Sequence, residues 1–283
     1  MTMKDPLVSI VIPCYNQAPY IAETVDSVLA QTYTGIEVII VNDGSTDHSD
    51  EEIRKILKTS PQIKYLQLEN GGVSRARNKG IESASGALIL PLDADDLIAA
   101  EYVEMAVREF EKDPELVVVT AQGKFFGKEE GDWNLEEFSM KKMLHGNVIF
   151  CPSVFRKNDW RAVDGFDETM NHLEDWDFYI RLTSLRPNKV KRLNYRALLY
   201  RIKDENARNT EGFKDGTYND TALYLYTKNK SLFYEHYGNP SLMIKEIENL
   251  KWEITKRDRE LSFLKRFIPN RFLLNLRNRK HGR

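Results

Sequence analysis

The chain has 283 residues, 41% hydrophobic and 30% charged, which is room for one large domain or a domain with an appendage. The net charge of −2 argues against a general nucleic-acid binder. It conceals an asymmetry, because residues 251–283 carry eleven Lys and Arg against three Asp and Glu, a basic tail on an acidic body that suits an anionic surface.

The first predicted element, over 7–13, is a near-continuous apolar run that ends at Pro13, as expected of a strand covered on both faces. A loop follows at Cys14-Tyr15-Asn16-Gln17, then a helix over about 19–30 with Ile21, Val25, Val28 and Leu29 on one face. A second strand at 37–41 runs into Asn42-Asp43-Gly44-Ser45-Thr46-Asp47, and a helix is expected at 51–57. A third strand at 63–68 ends in Glu69-Asn70-Gly71-Gly72, followed by a helix at 73–83 and a fourth strand at 87–92. Strict strand–helix alternation means parallel pairing in an α/β sheet, and such sheets bind ligands at the carboxyl ends of their strands.

The fourth strand stops at Asp93-Ala94-Asp95-Asp96. Ionised carboxylates beside an apolar core cost on the order of several kcal/mol unless they are neutralised. A hard divalent cation does this, since Mg²⁺ and Mn²⁺ take oxygen ligands and bridge to phosphates. Asp93 and Asp95 share a face of an extended backbone, while Asp96 faces elsewhere and reads as the cap of a helix after Leu97.

Further elements are a helix at 101–110, a strand at 116–120, and a polar, turn-rich stretch at 123–134 containing Phe125, Phe126 and Trp133, for which a β-ribbon is one of two readings. Residues 141–151 lead through His145-Gly146-Asn147 into a short strand. Trp176, Tyr179, Ile180 and Thr183 fall at helical spacing, so a helix starts near Glu174, and short strands are expected at 190–193 and 198–202. From Asp220 the chain is helical and aromatic-rich. A long charged helix at 242–267 carries an imperfect heptad-like stripe (Ile244, Ile247, Leu250, Ile254, Leu261, Leu264) that Pro269 ends.

Four motifs in order, Val8-Ser9-Ile10-Val11-Ile12-Pro13-Cys14-Tyr15-Asn16, Val41-Asn42-Asp43-Gly44-Ser45-Thr46-Asp47, Gly72-Val73-Ser74-Arg75-Ala76-Arg77-Asn78-Lys79-Gly80 and Asp93-Ala94-Asp95-Asp96, resemble the signatures of the family 2 glycosyltransferases over about residues 6–205. The resemblance implies the GT-A fold, a mostly parallel central sheet flanked by helices, and an inverting, metal-dependent transferase that uses a nucleotide-diphosphate sugar. It implies a nucleotide site of Pro13, Tyr15, Asn16, Asp43, Gly72, Arg77 and Asp93. Tyr15 would lie against the base and Asp43 would accept from its edge, for which a UDP-sugar fits best. Asp95, with Asp93, would hold Mn²⁺ or Mg²⁺. The loop Gly165-Phe166-Asp167-Glu168 would lead to the catalytic helix, where Asp175 is the general base that takes the acceptor hydroxyl proton. Asp96, Glu174, Asp177, Arg201 and Lys203 would orient the acceptor or support the site. Apart from the resemblance, the stretch at 123–134 has two readings, a β-ribbon or an excursion near the acceptor site. A histidine commonly follows Tyr-Arg-x in the family's final loop; here Tyr200-Arg201-Ile202 is followed by Lys203, which can neutralise phosphate but cannot ligate a cation while charged, so the metal's third protein ligand stays open.

The expected layout is a transferase domain at 1–215 and a helical extension with a basic tail at 216–283. Its acceptor would be a carbohydrate or lipid-linked molecule of cell-surface polysaccharide or lipopolysaccharide synthesis, and the C-terminal helix would serve peripheral membrane contact or a homodimer. Cys14 and Cys151 form neither a metal spacing nor a disulfide framework, no apolar stretch has the length of a membrane span, and the first strand begins too early for a signal peptide. The expected location is therefore the cytoplasm, including the inner face of the membrane. Two other readings remain. A sugar-nucleotide-forming nucleotidyltransferase would normally carry a Gly-rich loop with Arg and Lys after the first strand, and Pro13-Cys14-Tyr15-Asn16-Gln17 has neither. A non-catalytic nucleotide-binding scaffold would have little use for intact acidic motifs.

Overall fold

The computed structural model describes residues 5–203 and 217–239, together with 245, 249, 251–253 and 255–257. Its first half alternates strictly: β1 (Val8–Cys14), α1 (Ile21–Leu29), β2 (Ile36–Asp43), α2 (Ser49–Thr59), β3 (Lys64–Leu68), α3 (Val73–Ser83) and β4 (Leu88–Pro91). The four strands pair in parallel in the order β3-β2-β1-β4. Every residue of β1 is buried, as its unbroken apolar sequence requires of a strand with helices on both faces. Parallel pairing puts Cys14, Asp43, Leu68 and Pro91 at one edge, and the loops that follow them open on the same side of the sheet.

The second half is mixed. It runs β5 (Leu97–Ile98), α4 (Tyr102–Lys112), β6 (Val118–Gly127), β7 (Gly131–Trp133), α5 (Met140–His145), β8 (Val154–Arg156), α6 (Lys157–Ala162), α7 (Glu174–Ser184) and β9 (Val190–Ile202). The sheet continues from β4 through β8, β6 and β9 to β5, with β7 on β6. β8 lies antiparallel to both β4 and β6, whereas β6 and β9 are parallel. The described residues after 216 include α8 (Thr217–Lys228) and α9 (Lys230–Tyr237). The chain divides into compact units at Met1–Lys230 and Ser231–Arg283. Most of the expected helix at 242–267 and the whole basic stretch after 257 lie outside the described residues. Among the described residues, no helix is long and apolar enough to cross a membrane.

Several expectations need correction. The acidic triplet is followed by the two-residue strand β5, paired with β9, so Asp96 caps no helix; its carboxylate instead accepts the Arg201 backbone N–H at 2.9 Å. The stretch at 141–151 begins with α5, capped by the Ser139 hydroxyl accepting from the Lys142 N–H, and the strand lies further on, at Val154–Arg156. The strand expected to stop at 120 continues to Gly127. The two short strands expected at 190–193 and 198–202 are one strand, because register shifts at Ala121/Gln122 and Gln122/Gly123 of β6 absorb the polar residues that interrupt its apolar pattern.

Asp177 is fully buried on the side of α7 that faces α8. Its carboxylate accepts from Lys228 Nζ at 2.9 Å, Asn229 Nδ2 at 2.9 Å and Arg181 Nε at 2.8 Å. Two helical residues are about 200° of rotation, so Asp177 cannot share the face of Asp175. Lys228 also reaches Asp167 at 2.5 Å. With Thr169, it outweighs burial and holds that carboxyl well below the usual range. This charge cluster packs α8 on α7.

Candidate active site

A cavity of about 980 Å³ opens at the shared edge of the parallel strands, with Pro13, Tyr15, Asp43, Gly72, Arg77, Asp93, Asp95, Glu174, Arg201 and Lys203 in its wall. Asn16, Asp96, Asp175 and Asp177 are not part of that wall.

The first two loops are tied together by Asn16, whose φ of +54° is uncommon for a residue with a side chain. Its Oδ1 accepts from the Thr46 N–H at 2.8 Å and the Asp47 N–H at 3.3 Å, and its own N–H donates to Ser45 Oγ at 3.1 Å. Asn16 thus braces the loop after β1 against the loop after β2, leaving Tyr15, 46% exposed, on the cavity wall. Asp43 is 3% exposed, and its two oxygens accept from the backbone N–H groups of Gly71 (3.0 Å) and Gly72 (2.8 Å). The approach depends on Gly44, at φ +68°, where a Cβ would sit 2.6 Å from the Asn70 nitrogen.

Arg77 reaches from α3 into the centre of the site and is 4% exposed. One terminal nitrogen donates to Asp93 Oδ1 at 2.8 Å, the other to Glu174 Oε1 at 2.9 Å, and the guanidinium lies 5.3 Å from the centre of the Phe166 ring. Burial works against its charge, but Asp93 and Glu174 outweigh it and hold the guanidinium protonated well above its ordinary range. Arg77 is therefore committed to two carboxylates.

The acidic triplet is balanced from β9. Lys203 Nζ pairs with the Asp95 carboxylate and donates to Gln17 Oε1 at 2.9 Å. Arg201 Nε donates to the Asp95 carbonyl at 2.7 Å, and its guanidinium also pairs with Glu23 at 2.6 Å. Burial first, then Asp93 and Asp95, push the Asp96 carboxyl well above the usual carboxylate range. A divalent cation would find Asp93 and Asp95 on the cavity wall, their side chains 34% and 22% exposed. No group of three or more His, Cys, Asp or Glu that could hold a metal occurs among the described residues. Two carboxylates completed by phosphate oxygens and water are nonetheless a normal set for Mg²⁺ or Mn²⁺, so the residues fit such an ion in the presence of a diphosphate.

Asp175 sits in the first turn of α7, beside Glu174. Its Oδ1 accepts from the Trp176 N–H at 2.7 Å and its Oδ2 from Asn147 Nδ2 at 3.0 Å. Burial, then the Glu174 charge, raise its pKa to about 7, opposed by Arg77. Leu173, just before the pair, is in the left-handed conformation at φ +59°, a strained setting that fixes where the helix starts. Sequence reasoning missed three polar residues here. Asn78 donates to the Phe166 carbonyl (2.8 Å) and Glu168 (2.9 Å) while accepting from the Phe166 N–H (2.9 Å), which fastens α3 to the loop before α7. Asn147 and Gln17, the other two, hold Asp175 and Lys203. A lone amide side chain carries no spacing signal, although Asn78 stands within one of the motifs.

The sequence model described as "Glycosyl transferase family 2" matches residues 9–170. The chain is 36% identical over 195 residues to a chondroitin synthase of Pasteurella multocida (strain Pm70) and, at the same level, to a hyaluronan synthase of Pasteurella multocida. Each match covers 68% of this chain and 20% of the relative, so the chain spans about a fifth of those proteins' length. Among solved structures it resembles S. aureus TarS 1–349 in complex with UDP-GlcNAc, with TM-score 0.59 and 24% identity over 70% of this chain and 59% of that one. It also resembles the mannosyltransferase PcManGT from Pyrobaculum calidifontis in complex with GDP-Man and Mn²⁺, with TM-score 0.57 and 19% identity over 72% and 59% of the two chains. At these identities the structural likeness establishes a common fold.

Replacing Arg77 by Met leaves Asp93 and Glu174 facing each other without their shared cation. The expected cost is about 3 kcal/mol of stability, read as a fall in denaturant midpoint, with Arg77→Lys rescuing little of it because one ammonium cannot serve both carboxylates in the fork geometry. An unchanged midpoint in Arg77→Met contradicts the assignment.

Proposed function

The chain belongs to glycosyl transferase family 2, and on that premise we propose that it is an inverting transferase moving a sugar from a UDP-sugar to a hydroxyl of a carbohydrate or lipid-linked acceptor in cell-surface polysaccharide or lipopolysaccharide synthesis. The observation that carries this reading is that Asp43, Asp93, Asp95 and Glu174 share one cavity wall, with Arg77 linking that wall to the helix that bears Asp175. The relatives named chondroitin synthase and hyaluronan synthase support a glycan product, and the TarS complex with UDP-GlcNAc supports a uridine nucleotide. The Mn²⁺ in the PcManGT complex supports a divalent ion. Residues 1–215 form the transferase domain and 216–283 an extension, and the reaction takes place on the cytoplasmic side.

The uracil ring lies on Tyr15, and Asp43 accepts its N3–H. The Gly71 and Gly72 amides hold the Asp43 carboxylate in place while leaving each oxygen a second lone pair. Arg201 and Lys203 offer positive charge to the diphosphate. Asp95, with Asp93, would hold Mn²⁺ or Mg²⁺, which when bound supplies Lewis-acid stabilisation of the departing diphosphate.

Of the two neighbouring carboxylates, Glu174 spends an oxygen on Arg77, whereas among the described residues Asp175 accepts from the neutral N–H groups of Asn147 and Trp176. A carboxyl raised to about 7 is matched to proton abstraction near neutral pH. Asp175 therefore takes the acceptor proton as the hydroxyl oxygen attacks the anomeric carbon from the face opposite the leaving group, inverting it.

Asp175→Asn is expected to lower transfer by about two orders of magnitude or more while UDP affinity, measured by calorimetry, stays near that of the unaltered protein. Asp95→Asn is expected to weaken UDP binding and to abolish any gain in affinity from added Mn²⁺. Near-normal transfer by Asp175→Asn removes it as the base. Because Asp175 must be ionised to act, kcat/KM should rise with pH through about 7 and fall away below it, and a flat profile between about pH 5.5 and about pH 8.5 contradicts this role.

A further inference from the structure

We propose that the β6–β7 ribbon and the end of β9 form an aromatic platform on which a pyranose ring of the acceptor stacks, so that the acceptor end of the cavity selects a glycan. The proposal rests on the transferase reading above and adds to it the acceptor's chemical class and where it sits.

Phe125 and Trp133 stack with ring centres 5.3 Å apart and planes 20° from parallel. Tyr200, paired with Phe125 across β6 and β9, stands 5.5 Å from Trp133, and Phe150 lies 4.7 Å from it. None of the four rings is buried in the core, and Tyr200 is 43% exposed. Tyr200 is the exposed member of the group, and with Phe125 it presents aromatic surface to a binding cavity. Phe125 and Tyr200 form part of the cavity wall itself.

The platform is held rigidly. Gly123 faces Trp133 across the ribbon, and a Cβ there would come within 2.7 Å of the indole, so glycine lets the ring lie flat on the strand. Gln122 fixes the chain just beyond Trp133, accepting from the Leu135 N–H at 2.7 Å and donating to its carbonyl at 3.2 Å.

Tyr15 and Asp43 enter the cavity wall from the loop after β1 and the end of β2, whereas Phe125 and Tyr200 enter it from β6 and β9. Phe150, which packs on Trp133, is three residues beyond Asn147, which donates to Asp175, so one short segment of chain supports both the ring cluster and the proposed base. The axial C–H face of a pyranose is weakly positive and matches the negative face of an aromatic ring, while its hydroxyl edge needs polar partners. The Arg196–Asp132 pair at 2.7 Å supplies these at the ribbon's border. A charged border disfavours an acyl chain, which would have to desolvate it.

The test uses the purified full chain, saturated with UDP, on an array of oligosaccharides ending in hexoses, hexosamines and uronic acids, with UDP affinity measured separately. The unaltered protein should retain at least one glycan. Tyr200→Leu, which keeps apolar bulk but loses the aromatic face, should weaken that binding about tenfold or more, and Tyr200→Phe should keep most of it. UDP affinity within about twofold in both variants shows that the fold is intact. Protein that binds UDP but no glycan overturns the platform, as do equal glycan affinities in the Leu and Phe variants. Absence of UDP binding in the unaltered protein overturns the transferase reading itself, and the platform with it.

Discussion

A guanidinium with almost no exposure to water must find its counter-charges inside the protein, and Arg77 finds two. Asp93 lies at the end of a strand 16 residues further on, and Glu174 opens a helix 97 residues further on. The buried cation would not be stable without these counter-charges, and Glu174, 14% exposed, is the more covered of the two carboxylates it holds. The arrangement fixes the distance between the edge of the parallel strands and the start of α7. Asn78, the next residue, adds a neutral clasp to the same loop through three hydrogen bonds to Phe166 and Glu168. One turn of α3 thus joins the parallel half of the sheet to the mixed half.

The remaining charge follows from the first pair. With Arg77 occupied, the rest of the acidic triplet depends on the end of β9 and the residue after it, which bring Arg201 and Lys203 against Asp95 and Asp96. Where the family commonly has a histidine, Lys203 contributes an ammonium already seated on Asp95. Any cation that joins Asp95 must share or displace that contact, so the lysine sets a threshold for ion binding that a neutral imidazole would not. Asp96, buried among like charges with its carboxyl pushed well up, is the member of the triplet that supports the loop rather than facing the cavity.

The parallel half was legible because its physics is local. Apolar runs with Pro13, Gly44 and Gly72 at their ends announce strands and turns, and parallel pairing alone brings Tyr15, Asp43 and Asp93 to one edge. The mixed half was legible in part. α7 could be read from Trp176, Tyr179 and Ile180, yet β8 is only three residues long, and β9 hides its continuity behind a register shift. Asp177 shows the limit for the site. In sequence it is one more acid beside Glu174 and Asp175, and only the rotation of the helix separates a side chain clasped by Lys228 from one near the cavity. The motif around Arg77 was visible, but its direct pairing with Glu174 was not, since nothing in a sequence marks which distant carboxylate a buried arginine will meet. The roles in donor and acceptor chemistry rest on family membership joined to this geometry.

The central claim is that Asp93 and Glu174 share one cation, and a double-mutant cycle on their stability tests it most directly. Each of Asp93→Asn and Glu174→Gln leaves Arg77 one counter-charge, and the two together leave it none. The expected result is a double variant destabilised by more than the sum of the single effects, with a coupling of about 1 kcal/mol or more. Additivity to within about 0.5 kcal/mol would mean that the carboxylates do not act through Arg77, and would contradict the account.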